Sequence, residues 1–143
     1  MRTRQKRGSK PAREETIRTL VVDDSPVTLR AICTLLKTRG VISIVGTAKN
    51  GRDAVMKAKA LHPDLVLMDM EMPGVQGLEA TSRLRSRFPT IRIIIVTVHD
   101  SPEVQRACAA VDAHGFVSKS RMYAELFPEI DRVFERRESP RTG

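Results

Sequence analysis

Five times along this chain a short β-type run gives way to a helical segment, and that alternation constrains the fold more than any other feature. The β-type runs cover residues 17–22, 41–47, 64–69, 91–98 and 114–118. The helical segments between and after them cover 26–39, 51–61, 77–87, 101–111 and 123–137. Two of the runs, DLVLMD and IRIIIVTV, are almost continuously apolar, which marks strands covered on both faces. Repeated strand–helix pairs predict a parallel sheet with helices on both sides. Right-handed crossovers then put the carboxyl ends of all strands on one edge, where sheets of this kind bind their ligands. Pro26 suits a first helical turn and Gly40 a helix end. Pro128 lies inside the last helical segment, which predicts a kink or a late start there.

Charge is unevenly spread. The chain of 143 residues carries a formal net charge of +8. Six of its 25 basic residues, Arg2, Arg4, Lys6, Arg7, Lys10 and Arg13, fall in a stretch without a single acid. Subtracting those six leaves nineteen basic against seventeen acidic side chains, so the body is close to neutral. Residues 1–15 therefore read as a disordered basic tail, 16–137 as one folded domain and 138–143 as a flexible end. The tail has no aromatic to stack on bases and no apolar anchor for a bilayer. Salt-dependent contact with nucleic acid is the weaker reading of it, and a solvated tail the stronger. No apolar run reaches the ~18 residues of a membrane span, and no secretory signal is visible. Cys33 and Cys108 have no metal-like spacing and read as reduced, half-buried thiols, so the expected address is cytoplasmic.

The strand ends carry the chemistry. Asp23 and Asp24 follow the first run, Asp69 ends the third, Thr97 ends the fourth, and Lys119 follows the fifth. Each alone has an ordinary explanation as a cap, a solvated loop group or a surface lysine. Together, at the predicted binding edge, they form a constellation. Three carboxylates about 4 Å apart repel by about 4 kcal/mol per pair at an effective dielectric near 20, so they need neutralising. Lys119 supplies one positive charge. Oxygen-only ligands without neighbouring His or Cys select a hard divalent cation, Mg²⁺ first and Mn²⁺ as the alternative. A cation and an ammonium at one edge call for a phosphoryl ligand, with Asp69 as the nucleophile that accepts it. Met68, Met70 and Met72 read as packing, and His99 and His114 as surface or loop residues.

The motifs VVDDSP at 21–26, LVLMDMEMPGVQGLEA at 65–80, IIIVTVHD at 93–100 and GFVSKS at 115–120 resemble those of bacterial response-regulator receiver domains. The resemblance spans about residues 17–135 and implies a flavodoxin-like (βα)5 three-layer sandwich with strand order 2-1-3-4-5. It implies Asp23 and Asp24 as the acidic pair, Asp69 as phosphoacceptor, and the Glu71 main-chain carbonyl as a further Mg²⁺ ligand. Thr97 becomes the switch hydroxyl, Lys119 the phosphate partner and Phe116 the aromatic that turns inward. Pro73 and Gly77 match the turn after the acceptor. Ser120 stands where many members have proline, so a cis peptide is not expected after Lys119. Val98 replaces a smaller residue near Phe116, and Glu71 and His99 flank the expected phosphoryl position.

The expected function is a stand-alone, non-enzymatic switch, phosphorylated by a sensor histidine kinase or a phosphotransfer protein. Its output would be a change in partner affinity at the face of the fourth helix, fifth strand and fifth helix. Arg106, Phe116, Arg121, Met122 and Tyr123 are the candidate contact residues, and phosphorylation-driven homodimerisation is a further expectation. One alternative is the receiver half of a DNA-binding transcription regulator. Another is an aspartate-nucleophile phosphohydrolase, suggested by Asp69-Met70-Glu71 but disfavoured because its acidic pair lies upstream and no cap segment is visible.

Overall fold

Three of the strand-to-helix junctions in the computed structural model of this protein are made by a polar residue, Ser25, Asn50 or Ser101, that ends the loop and caps the next helix. The structure describes residues 16–72 and 76–135. Strand β1 (Ile17–Val22) leads through a three-residue loop to helix α1 (Pro26–Leu36). Ser25 accepts a hydrogen bond from the Thr28 N–H, and Pro26 takes a first-turn position where no N–H is needed. Strand β2 (Ile42–Ala48) precedes α2 (Gly51–Leu61), capped by Asn50 accepting from the Asp53 N–H. Then follow β3 (Leu65–Asp69), α3 (Gln76–Arg87), β4 (Arg92–Thr97) and α4 (Pro102–Ala110), the last capped by Ser101. Strand β5 (Gly115–Ser118), a 3-10 turn over Lys119–Arg121 and α5 (Met122–Phe134) complete the domain.

The five strands form one parallel sheet in the order β2-β1-β3-β4-β5. Alternate side chains of the central strands feed two separate cores. Val21, Leu65, Leu67, Ile94, Val96 and Val117 pack beneath α1 and α5, against Ile32, Leu36, Leu126 and Ile130. Leu20, Val22, Val66, Met68 and Ile93 pack beneath α2 and α3, against Ala54, Ala58, Ala80 and Leu84. This is the expected flavodoxin-like three-layer sandwich. All five residues of β3 are buried, which explains its lack of polar alternation. Each fully buried Leu or Ile contributes about 1.5–3 kcal/mol, so these two layers carry the stability. Helix α4 is more lightly held, with Cys108 as its one buried residue.

Several boundaries differ from the sequence reading. Helix α1 stops at Leu36, and Gly40 lies beyond it in an open turn with no atom near its missing side chain. Tight bonds from the Thr38 and Arg39 N–H groups to the Leu35 and Leu36 carbonyls end the helix instead. Helix α5 neither starts late nor stops at Pro128. It begins at Met122 and continues through Pro128 to Phe134, with Met122, Leu126 and Ile130 forming a buried stripe on both sides of the proline. The expected basic tail 1–15, the turn residue Pro73 and the end 138–143 lie outside the described residues.

His114 is no loose loop group. Its Nδ1 accepts a hydrogen bond from the Ile93 N–H at 3.0 Å, while its own N–H donates to the Ile93 carbonyl at 2.8 Å. The ring thus continues the β4–β5 pairing and must be neutral at Nδ1. Burial lowers its pKa, helped by the charges of Arg85 and Arg92. A depressed histidine pKa means that the unfolded chain takes up a proton first as pH falls. We expect wild-type stability, measured by urea denaturation, to drop between pH 7 and the depressed histidine range relative to His114→Asn. Parallel pH profiles for the two proteins would remove this role from His114.

Candidate functional site

The carboxyl ends of β1, β3, β4 and β5 meet at one edge, and the residues there come together as the topology requires. Lys119 Nζ lies 2.9 Å from Asp23 Oδ2 and 3.2 Å from Asp69 Oδ1. Asp23 and Asp69 are 1% and 3% exposed, whereas Asp24 faces solvent at the rim. One oxygen from each of the three aspartates lies within 4.8 Å of the others. The backbone fixes the inner pair. The Ser25 N–H donates to Asp23 Oδ1 at 2.9 Å, and the Glu71 N–H donates to Asp69 Oδ1 at 3.0 Å. Gly77 makes this packing feasible, because a Cβ there would sit 2.4 Å from the Asp69 carbonyl oxygen. Helix α3 can therefore begin directly against the strand end.

Electrostatics at this edge are unbalanced. Burial raises the Asp23 pKa; the Ser25 N–H and Lys119 oppose it, and the neighbouring Asp69 charge adds to it. Burial also raises Asp69, against the Glu71 N–H; contact with the Glu71 carboxyl raises it further and Lys119 lowers it. Burial would lower Lys119, but its hydrogen bond to Asp23 and the charges of Asp69 and Asp23 hold it above its ordinary value. Glu71 Oε1 also lies 3.8 Å from Lys119 Nζ. One ammonium thus faces three inner carboxylates, and negative charge is in excess. An all-oxygen donor set with surplus negative charge fits a hard divalent cation such as Mg²⁺.

Thr97 is fully buried. Its hydroxyl donates to Glu71 Oε2, and the His99 N–H donates to the Thr97 oxygen at 3.1 Å. The sequence places Glu71 beside the expected phosphoryl position and assigns its main-chain carbonyl to the metal; the contact of its carboxylate with the Thr97 hydroxyl is the added finding. Cys108 sits close by, and burial plus the Glu71 charge push its thiol up to about 11, so it is no nucleophile at neutral pH. His99 is exposed. The peptide after Lys119 is trans.

On the neighbouring face, Phe116 is half-buried on the edge strand β5. Its N–H donates to Glu129 Oε2 of α5 at 3.0 Å, a tie that the sequence gave no reason to expect. Burial works against the Glu129 carboxylate, but Arg132 and the Phe116 N–H more than offset it and lower its pKa. Arg106 and Tyr123 are exposed, and Arg121 is exposed while pairing with Asp100 and Glu125. Met122 is not part of that surface. It is 5% exposed and belongs to the core beneath α5, because the first turn of the helix rotates it inward.

Residues 19–131 match the family described as the response regulator receiver domain. The chain belongs to that family. It is 37% identical over 118 residues to the response regulator GacA of Pseudomonas viridiflava, covering 82% of this chain and 55% of GacA. It is 38% identical over 120 residues to VraR of Staphylococcus saprophyticus, covering 82% and 56%. The receiver thus spans about half the length of these curated relatives. Among solved structures, a LuxR-family two-component response regulator from Aurantimonas sp. superposes with a TM-score of 0.80 at 31% identity, covering 84% of this chain and 86% of that one. The response regulator domain of Thermotoga maritima CheB gives a TM-score of 0.72 at 30% identity, covering 84% and 95%. Receiver domains are phosphoacceptors that bind Mg²⁺ at an acidic pocket and interact with histidine kinases or phosphotransfer proteins. No helix among the described residues is long and apolar enough to cross a membrane.

The excess charge has a measurable consequence. Asp69 is protonated more readily folded than unfolded, so its ionisation costs stability above that raised range and the cost fades as pH falls through it. Asp69→Asn is expected to stabilise the metal-free protein by on the order of 1–3 kcal/mol at pH 7.5, by relief of like-charge repulsion. The gain should shrink as pH falls through that raised range, in urea denaturation with EDTA present. A variant no more stable than wild type at pH 7.5 would show that Lys119 already balances the site.

Proposed function

We propose that residues 16–137 form a phosphorylation switch, flanked by tails at 1–15 and 138–143, in which Asp69 accepts the phosphoryl group. The observation that carries this reading is the Lys119 ammonium bridging Asp23 and Asp69 at a shared, buried edge. An Asp69 oxygen attacks phosphorus in line. Its O–P bond forms as the P–N bond of a phosphohistidine donor breaks, and the electron pair leaves with the imidazole. Asp23, Asp24, Asp69 and the Glu71 carbonyl would hold Mg²⁺, which supplies charge neutralisation for the transferring oxygens. Lys119 adds a positive charge that does not depend on metal. Thr97 is placed to donate to a phosphoryl oxygen once its present acceptor is displaced.

Output would pass through the face formed by α4, β5 and α5. The light anchoring of α4 supports this, since weakly packed elements shift at low cost. Phe116, Arg106, Arg121 and Tyr123 would present the changed surface, and two copies could meet there. The domain itself has no catalytic turnover in this reading beyond gaining and losing its own phosphoryl group. A second reading, the receiver half of a DNA-binding regulator, is favoured by LuxR-family solved structures, one of them described as a DNA-binding response regulator, and by the greater length of GacA and VraR. Reading the gene past codon 143 separates the two: a following helix-turn-helix supports the second, a stop codon the first.

Incubation with a small phosphodonor and Mg²⁺ should place acid-labile phosphate on the wild type. Asp69→Asn should abolish the label, Lys119→Ala should cut its rate by about tenfold or more, and EDTA should prevent it. Label that persists in Asp69→Asn would overturn the assignment.

A further inference from the structure

Glu71 occupies a position that the switching chemistry leaves unexplained. Its carboxylate accepts the Thr97 hydroxyl at Oε2 and reaches towards Lys119 with Oε1, 3.8 Å from Nζ. Oε1 is buried and has no hydrogen-bond partner, since 3.8 Å is an ion-pair distance but too long for a hydrogen bond. A buried, unsatisfied carboxylate oxygen beside two aspartates is costly. The same side chain is 22% exposed overall, so a route to solvent is open to it.

We propose that the Glu71 carboxylate is a built-in anion that holds Thr97 and Lys119 in the unphosphorylated protein and must swing out when a phosphoryl group arrives on Asp69. This deepens the proposed function and rests on it. The two groups Glu71 engages are those a phosphoryl oxygen on Asp69 would need: a buried hydroxyl donor and an ammonium 3.2 Å from the acceptor oxygen. The single Thr97 O–H proton cannot serve a carboxylate and a phosphoryl oxygen at once, because both are acceptors only, and the two negative groups repel each other beside Lys119. Glu71 thereby keeps the Thr97 hydroxyl from reorienting on its own. It also sets a threshold against spurious switching by weak anions. The Glu71 N–H donates to Asp69, so the backbone that holds the acceptor can stay fixed while the side chain leaves.

The test uses the full chain and beryllofluoride with Mg²⁺ as the phosphoryl mimic, its affinity read by calorimetry and by amide resonances near the site. Glu71→Ala should bind the mimic about tenfold or more tightly, the scale of one charge-assisted hydrogen bond no longer displaced. Glu71→Gln, which keeps the size and removes the charge, should also bind more tightly and guards against a packing artefact. In a Thr97→Ala background the gain from Glu71→Ala should shrink, because the contested hydroxyl is gone. Unchanged or weaker binding in both folded Glu71 variants, or a gain undiminished without Thr97, would overturn the proposal. Failure of the proposed function is separate and would appear as wild type that takes up neither mimic nor acid-labile phosphate.

Discussion

Lys119 is the tie on which this edge depends. Asp23 and Asp69 come from strands far apart in sequence and are nearly sealed from water, where two neighbouring carboxylates repel strongly. The ammonium reaches both at hydrogen-bond distance and supplies the attraction that lets them stay ionised side by side. It does not neutralise the site. With Glu71 added, the charge remains negative overall, which equips the edge to take a cation and then an anion brought in with it. The instability and the chemistry have the same origin.

The backbone supports that tie with little freedom to spare. Gly77 lets α3 begin against the carbonyl of Asp69, so a side chain at that position would push the acceptor loop away from the strand. N–H groups of Ser25 and Glu71 grip the two inner carboxylates, and each belongs to the loop that turns its strand towards the next helix. On the far side, the edge strand β5 has its Phe116 N–H covered by Glu129, while α4 beside it buries a single cysteine. The acceptor half is rigidly framed. Within the face that would answer a phosphoryl group, β5 and α5 are anchored in the core by Val117, Leu126 and Ile130, so lightly packed α4 is the element that can shift at smaller cost.

Much of this arrangement was legible along the chain. The continuous apolar runs that became β3 and β4 identified doubly covered strands, and parallel topology then brought Asp23, Asp24, Asp69, Thr97 and Lys119 to one edge. The misreadings share a physical cause. Gly40 and Pro128 carry strong local preferences, but turn hydrogen bonds end α1 before Gly40, and the buried stripe of α5 carries it past Pro128. Met122 looked like a surface residue because its neighbours Arg121 and Tyr123 are, yet helix rotation turns it into the core. His114 sits in a turn-like stretch, and only the adjacent backbone of Ile93 gives its ring a structural partner.

Sequence alone determined the sheet, the helices on both faces and which strand ends carry carboxylate, hydroxyl and ammonium, because hydrophobic period and crossover handedness are properties of the chain itself. It could not decide where a flexible side chain would settle. Glu71 folded inward to Thr97, Glu129 closed the β5 edge, and His114 extended the ladder, each in response to an atom supplied by a distant segment. Such choices depend on burial and on unpaired donors that exist only once the strands have been brought together. Tertiary structure therefore decided how the site rests before any phosphoryl group reaches it.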